Sequence, residues 1–254
     1  MATIIIAADK GAPGATTTAL VLASVWPQPC IVLEADPSGG DLGLRMTDAA
    51  GHPQLRPTPS FLTLATDSRG GPAEVATHAQ TTNGGVRVIP GLGNAEQAGG
   101  VSQMWGGVAA SVRGSAVDVL VDAGRLSPQT PALTLVAIAQ RLVLVVRPTV
   151  DGTVYVRDRI AALHAHPAAA HLASIDVVVV TGDRAGAKAC HDLQTVLDHG
   201  GLSASVLGYI ALDTKALKHL YQGTLPPRSM LSRTAKTIAQ QLQANAVQSP
   251  TSVS

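Results

Sequence analysis

Aromatic residues are nearly absent from this chain. Its 254 residues include one Phe, two Trp and three Tyr, 2% of the sequence. The core must therefore be built from Ala, Val, Leu and Ile. Charge is scarce as well: Asp, Glu, Lys and Arg make up 14%, and the net charge of +1 argues against a globally basic nucleic-acid protein. There are two cysteines, Cys30 and Cys190, far apart and without a partner pattern. They read as reduced, buried thiols of a cytoplasmic protein. No long apolar run occurs near the N-terminus. Ile4-Ile5-Ile6 is too short for a signal peptide or a membrane span, so no integral membrane segment is expected. No internal repeat is visible. The G-x-S-x-G elbow of serine hydrolases is missing, and no G-x-G-x-x-G follows the first apolar run.

What is present is alternation. The runs Thr3–Ala7, Cys30–Asp36, Val86–Gly91, Ala116–Gly124, Arg141–Thr149, Ile175–Asp183 and Ser205–Ile210 read as strands. Between them, Ala19–Trp26, the stretch opening at Ser60–Ala65, Gln97–Arg113, Val150–His164 and Ala185–His199 read as helices. The Gln97–Arg113 pattern is weakened by four glycines, and Asp151 or Thr153 is the expected cap of Val150–His164. Asp213–Gly223 and Ser229–Asn245 close the chain, split by Pro226-Pro227. Residues 48–85, broken by Pro53, Pro57 and Pro59, are the least periodic. Strands and helices in alternation imply an α/β fold: a single domain over 1–245, with a mostly parallel sheet and helices on both faces. Residues 246–254 form a polar tail expected to be disordered.

The first apolar run leads into Ala8-Asp9-Lys10-Gly11-Ala12-Pro13-Gly14-Ala15-Thr16-Thr17-Thr18. Strand, glycine loop, helix is the setting in which backbone N–H groups and a helix N-terminus cradle phosphate. Thr16 stands where a hydroxyl at the first helical turn reaches magnesium. Against G-x-x-x-x-G-K-[ST], Gly14 and Thr16 fit, but Ala15 replaces the lysine. The second strand ends in Glu34-Ala35-Asp36, followed by the loop Pro37-Ser38-Gly39-Gly40-Asp41-Leu42-Gly43-Leu44. A third acid, Asp122, ends an unbroken apolar run. Carboxylates at strand ends beside a phosphate loop face the same rim as the phosphates. The competing reading is a ligand-free β–α turn with strand-end acids capping the next turns.

Lys10–Thr17 resembles the deviant Walker A motif K-G-G-x-G-K-[TS]-[TS] of the ParA/MinD family, with Ala12 and Ala15 as departures. Glu34–Leu44 resembles that family's second motif, and Ala116–Gly124 its Walker B strand. The resemblance covers residues 1–245 and implies the P-loop NTPase fold of the ParA/MinD branch. Degraded P-loops also occur in the TadZ/CpaE group from pilus-assembly loci. By this resemblance ATP or ADP would lie on Lys10, Gly11, Ala12, Pro13, Gly14, Ala15, Thr16 and Thr17. Thr181 and Asp213 stand where the base would be, though both depart from the family pattern. Thr16 and Asp122 would hold Mg²⁺, Asp36 would orient the attacking water, and Lys10 would act across a homodimer.

The implied function is a nucleotide-dependent dimeric switch that positions a cargo such as a chromosome or plasmid, a division site, or a pilus or secretion machinery. Because Ala15 removes a central cation, hydrolysis should be slow or absent. Lys10 from the partner, Arg125 or Arg147 could compensate, or the site is vestigial. A pseudo-ATPase scaffold is a second reading. A metabolic ATP-dependent enzyme is a third, weakened because such enzymes also need the P-loop lysine. Residues 209–254 carry Lys215, Lys218, Arg228, Arg233 and Lys236 against Asp213 alone. These cations read as solvated helix faces or as a surface for DNA. His164, His166 and His171 read as solvated helix-end residues rather than a metal site.

Overall fold

Every residue of the first strand, β1 (Thr3–Ala8), is buried. A parallel strand covered on both faces must be apolar throughout, and the run of isoleucines meets that demand. The computed structural model describes residues 1–10 and 14–246. Gly11, Ala12 and Pro13 lie outside the described residues, as does the expected tail except Ala246.

β1 leads to α1 (Ala15–Val25), β2 (Cys30–Glu34), α2 (Leu42–Arg45) and α3 (Phe61–Asp67). Then come β3 (Gln80–Thr81), β4 (Arg87–Ile89), α4 (Ala95–Gly100), α5 (Trp105–Arg113), β5 (Asp118–Arg125) and α6 (Leu133–Val136). The second half holds β6 (Arg141–Val146), α7 (Val150–His164), β7 (Ile175–Thr181), α8 (Asp183–His199), β8 (Ala204–Ala211), α9 (Thr214–Tyr221) and α10 (Met230–Ala246). The eight strands form one sheet in the order β3-β4-β2-β5-β1-β6-β7-β8. All neighbours are parallel except β3 and β4. From β1 the chain winds to both sides, so the C-terminal ends of the central strands border a crevice.

Alternate side chains divide the core. Ile5, Ala7, Leu33 and Val121 pack with α3, α5, α6, α7 and α8 on one face. Ile4, Ile6, Val32 and Val143 pack with α1, α9 and α10 on the other. Aliphatic residues dominate, as expected. Phe61 and Trp105 are nevertheless placed inside, with ring centroids 4.9 Å apart, while the three tyrosines are half-buried.

The structure corrects the sequence reading at several points. The Gln97–Arg113 pattern is two helices, α4 and α5, joined by a 3₁₀ turn at Ser102–Met104. Gly99 and Gly100 end α4, in keeping with a helix cost of about 1 kcal/mol per glycine relative to alanine. The cap of α7 is neither Asp151 nor Thr153 but Thr149, whose hydroxyl accepts the Gly152 N–H. Residues 48–85 contribute an antiparallel edge strand, β3, which their weak periodicity hid. The cysteines are free but only half-buried. Burial, with Asp118 nearby, pushes the Cys30 thiol up to about 12, so it stays protonated and unreactive.

Candidate nucleotide site

α1 starts beside the crevice. Its N-cap is Gly14 at φ +123°, a conformation that a residue with a Cβ rarely adopts. No side chain caps this end and no acid stands in the first turn. First-turn N–H groups and the positive end of the helix dipole are thus left for an anion. Ala15, at the place of the P-loop lysine, is buried among core side chains. Thr17 Oγ1 is 2.8 Å from the Tyr221 hydroxyl at the end of α9. Tyr221 also accepts a long bond from Arg45 Nη1, 3.4 Å, while Arg45 Nη2 donates to Asp41 Oδ2.

The start of the loop is anchored on the other side. Asp9 pairs with Arg159 of α7 at 2.9 Å, and both side chains are largely buried. Lys10 is exposed, with its Nζ 5.9 Å from the centre of the Tyr155 ring, also on α7. Lys10 therefore turns toward its own α7.

The acids divide into different roles. Glu34 and Asp122 are register partners on β2 and β5, and both are buried. Glu34 is fully engaged: Oε1 accepts the N–H groups of Asp41 (2.7 Å) and Leu42 (2.9 Å), and Oε2 that of Gly91 (2.7 Å). It ties the loop before α2 to the loop after β4. Burial raises its pKa against the pull of these three donors. Asp122 has no exposed surface; Oδ1 accepts the Gly124 N–H at 3.1 Å, and Oδ2 has no hydrogen-bond partner among the described residues. Burial pushes its carboxyl up to about 7, and the negative Glu34 and Asp36 add to the rise. The Thr16 hydroxyl stands near enough to oppose that rise without completing a bond to Oδ2. A buried carboxylate oxygen without a partner, beside a hydroxyl of the first helical turn, fits a hydrated magnesium ion.

Asp36 is half-buried, and its Oδ1 accepts the Ser38 N–H at 2.7 Å. Gly124 has φ +57°, and a Cβ there would overlap the Asp36 carboxylate. The segment just after Asp122 is thus in direct contact with Asp36. Burial raises the Asp36 pKa as well.

Between α1, α9 and the ends of β6, β7 and β8 lies a cavity of about 170 Å³. Gly14, Thr17, Thr18, Arg45, Arg147 and Asp213 are among its lining residues. Asp213 also caps α9, accepting the Ala216 N–H at 2.9 Å. Thr181 is not in the lining; it is buried, and its carbonyl accepts the Leu212 N–H. Arg125 is exposed and does not line the cavity either. A larger cavity of about 640 Å³ surrounds the Arg141–Asp176 ion pair at the opposite end of the sheet, away from the strand-end acids.

Of the residues expected at the site, Gly14, Thr16, Thr17, Asp36 and Asp122 gather at one rim, joined by Asp213. Lys10 points outward from it and Thr181 lies beneath it. Sequence reasoning missed Arg45 and Tyr221. Arg45 had one signal, its i, i+4 spacing from Asp41 in the loop after β2. Tyr221 had none. Of the three histidines expected to be solvated, His166 Nδ1 accepts the Ala168 N–H and His171 Nε2 meets the Ala139 carbonyl. His164 departs from the expectation: its Nε2 is buried and has no hydrogen-bond partner among the described residues. All five C-terminal cations lie exposed on or beside α9 and α10. No helix of the described residues is long and apolar enough to cross a membrane.

No family model and no curated protein matches the sequence. Solved structures do. A ParA family ATPase from Chlorobium tepidum superposes with a TM-score of 0.73 at 13% identity, covering 94% of this chain and 98% of its own. The septum site-determining protein MinD from Pyrococcus horikoshii, complexed with Mg-ADP, gives 0.71 at 18% identity, covering 96% and 97%. A McdA–ATP complex from Cyanothece gives 0.69 at 18% identity, covering 100% and 99%. At such identities the likeness speaks for architecture, and it spans whole chains on both sides. This chain has the fold of the ParA and MinD ATPases.

Proposed function

We propose that this protein is a nucleotide-dependent switch of the ParA/MinD type, which binds ATP with Mg²⁺, dimerises and positions a cargo in the cytoplasm. The observation that carries the reading is the unpartnered, buried Asp122 Oδ2 beside Thr16, at the mouth of the crevice where α1 begins. The Mg-ADP of the MinD neighbour and the ATP of the McdA neighbour support it. In this reading Thr16 and Asp122 hold the magnesium ion, which neutralises phosphate charge. The loop from Lys10 to Thr17 cradles the phosphates, and Asp213 borders the base. Asp36, resting on Gly124, orients the attacking water.

Ala15 supports slow turnover at most. Phosphoryl transfer depends on positioning and charge neutralisation, and the usual cation is absent from this position. A thermal-shift titration with ATP, ADP and GTP, with and without Mg²⁺, tests the reading, because a ligand that binds the native state must raise Tm. ATP with Mg²⁺ is expected to raise it. Ala15→Lys is expected to tighten binding about tenfold, the worth of one charge-assisted contact, and to speed hydrolysis. Native hydrolysis as fast as that of the lysine variant would sink the slow-turnover claim. ATP binding with no turnover in either protein would favour the scaffold reading.

Lys10 carries the dimer. The contact of its exposed ammonium with the half-buried Tyr155 ring holds it by about 0.5–1 kcal/mol, little enough to be exchanged for a partner's phosphates. Binding and association are then reciprocally coupled. Lys10→Ala is expected to lower both ATP affinity and the ATP-induced dimer fraction, read by light scattering. An equal dimer fraction in native and variant proteins refutes the role across the dimer.

A further inference from the structure

We infer that Arg45 and Arg147 supply in cis the positive charge that Ala15 removes, as a two-arginine site for a nucleotide's phosphate chain. The inference rests on the proposed nucleotide reading and names the residues that make it workable. Sequence alone left Lys10, Arg125 and Arg147 as possible substitutes. The geometry separates them. Within its own chain Lys10 turns onto Tyr155 and away from the cavity beside α1, which leaves it a role only across a dimer, and Arg125 lies outside the lining of that cavity. Arg147, just past the end of β6, lines that cavity together with Gly14 and Thr17. Arg45 lines it from α2, on the opposite flank.

Three further observations fit an anion there. The cavity borders the uncapped N-terminal turn of α1, which has no acid of its own. Thr18, 1% exposed, lines the same cavity with its Oγ1 unpartnered. Arg45 is also aimed rather than free. Asp41 Oδ2 holds one guanidinium nitrogen, and the other reaches the Tyr221 hydroxyl, which itself meets Thr17 Oγ1. The guanidinium is therefore steered toward the first turn of α1. A planar fork of donors can grip phosphate oxygens bidentately, which one lysine cannot do. Asp41 offsets part of the charge of Arg45. This is why two arginines, not one, are needed to match a missing lysine.

The test uses the full chain and three probes: ATP with Mg²⁺, inorganic pyrophosphate, and adenosine. Binding is measured by thermal shift and calorimetry for the native protein, Arg45→Gln, Arg147→Gln and Arg125→Gln. Arg45→Gln and Arg147→Gln are each expected to weaken ATP and pyrophosphate by about tenfold, since each removes a charge-assisted contact. They should leave adenosine unchanged. Arg125→Gln should leave all three unchanged. Because both arginine side chains are exposed at the rim, the unliganded Tm should stay close to native, which separates lost binding from lost folding. Native ATP binding that survives both substitutions within twofold overturns the inference and leaves the nucleotide reading standing. Pyrophosphate binding lost in both variants, with no ATP binding in the native protein, upholds the arginine site and overturns the nucleotide reading. No binding of either anion overturns both.

Discussion

Asp122→Asn is expected to stabilise the ligand-free protein above pH 7 and at the same time to erase its response to magnesium. The two effects share one cause. An ordinary aspartate titrates near 3.8, whereas burial holds Asp122 at about 7. Between those values the native state keeps a proton that the unfolded chain has released. Stability from this group is therefore complete below about pH 4 and is lost as pH rises through 7. At 1.36 kcal/mol per unit the loss is about 4 kcal/mol at most. An amide of the same shape still accepts the Gly124 N–H and removes a charge that faces Glu34 and Asp36. The variant should thus resist urea better than native protein at pH 8 and about equally at pH 4. With ATP present the ordering should reverse. Magnesium needs the ionised carboxylate, so its binding releases a proton and strengthens as pH rises through 7. The amide offers it no charge. Lower stability of the variant at pH 8 would contradict the buried-charge picture. A surviving magnesium response would remove Asp122 from the ion's site.

Glu34→Ala should cost about 3 kcal/mol or more, because it orphans three backbone N–H groups, each costing about 1–3 kcal/mol when left unpaired in the interior. The donors belong to two loops: Asp41 and Leu42 at the start of α2, and Gly91 after β4. Their loss should loosen α2 and with it Arg45. Glu34→Gln is expected to be milder. Its carbonyl can still take the Asp41 and Leu42 donors, but its NH₂ would confront the Gly91 N–H. Urea denaturation of the three proteins gives the order native, Gln, Ala. An alanine variant as stable as native would mean that water satisfies these donors. By sequence, Glu34 and Asp36 were alike, two acids at the end of one strand beside a phosphate loop. In the fold Glu34 is a clamp between loops, while Asp36 binds only the turn that follows it, through the Ser38 N–H.

The strands were legible because a sheet covered on both faces writes itself as unbroken apolar runs. Ile175–Thr181 and Arg141–Val146 could hardly be read otherwise. Several of their ends were read too long, although Thr3–Ala7 and Ser205–Ile210 were read short of the strands Thr3–Ala8 and Ala204–Ala211. Cys30–Asp36 stops at Glu34, whose side chain is committed to loops, and Asp36 already belongs to the turn that Pro37 begins. Residues 48–85 were opaque because their structure depends on distant partners. Gln80 pairs with Val88, and its side chain amide donates to the carbonyls of Arg56 and Pro59. The candidate site divides the same way. Acids following apolar runs announced themselves, so the rim position of Asp36 and Asp122 was legible. Arg45 and Tyr221 meet across 176 residues of sequence, and no local pattern encodes such a meeting.

The borders of the sheet bear on how copies of this chain can meet. An exposed strand edge is a template for another strand, and long flat edges invite aggregation. Here one border is β3, two residues long and running against its neighbour. The other is β8, where the register with β7 slips between Val177 and Val178 and Gly208 adopts φ +146°. Such a bulge twists the strand and interrupts its row of free amides. Neither border offers a regular ladder for a second copy to extend. Self-assembly by sheet growth into filaments is disfavoured, and association is left to the faces and rims, where side chains rather than backbone decide the partner.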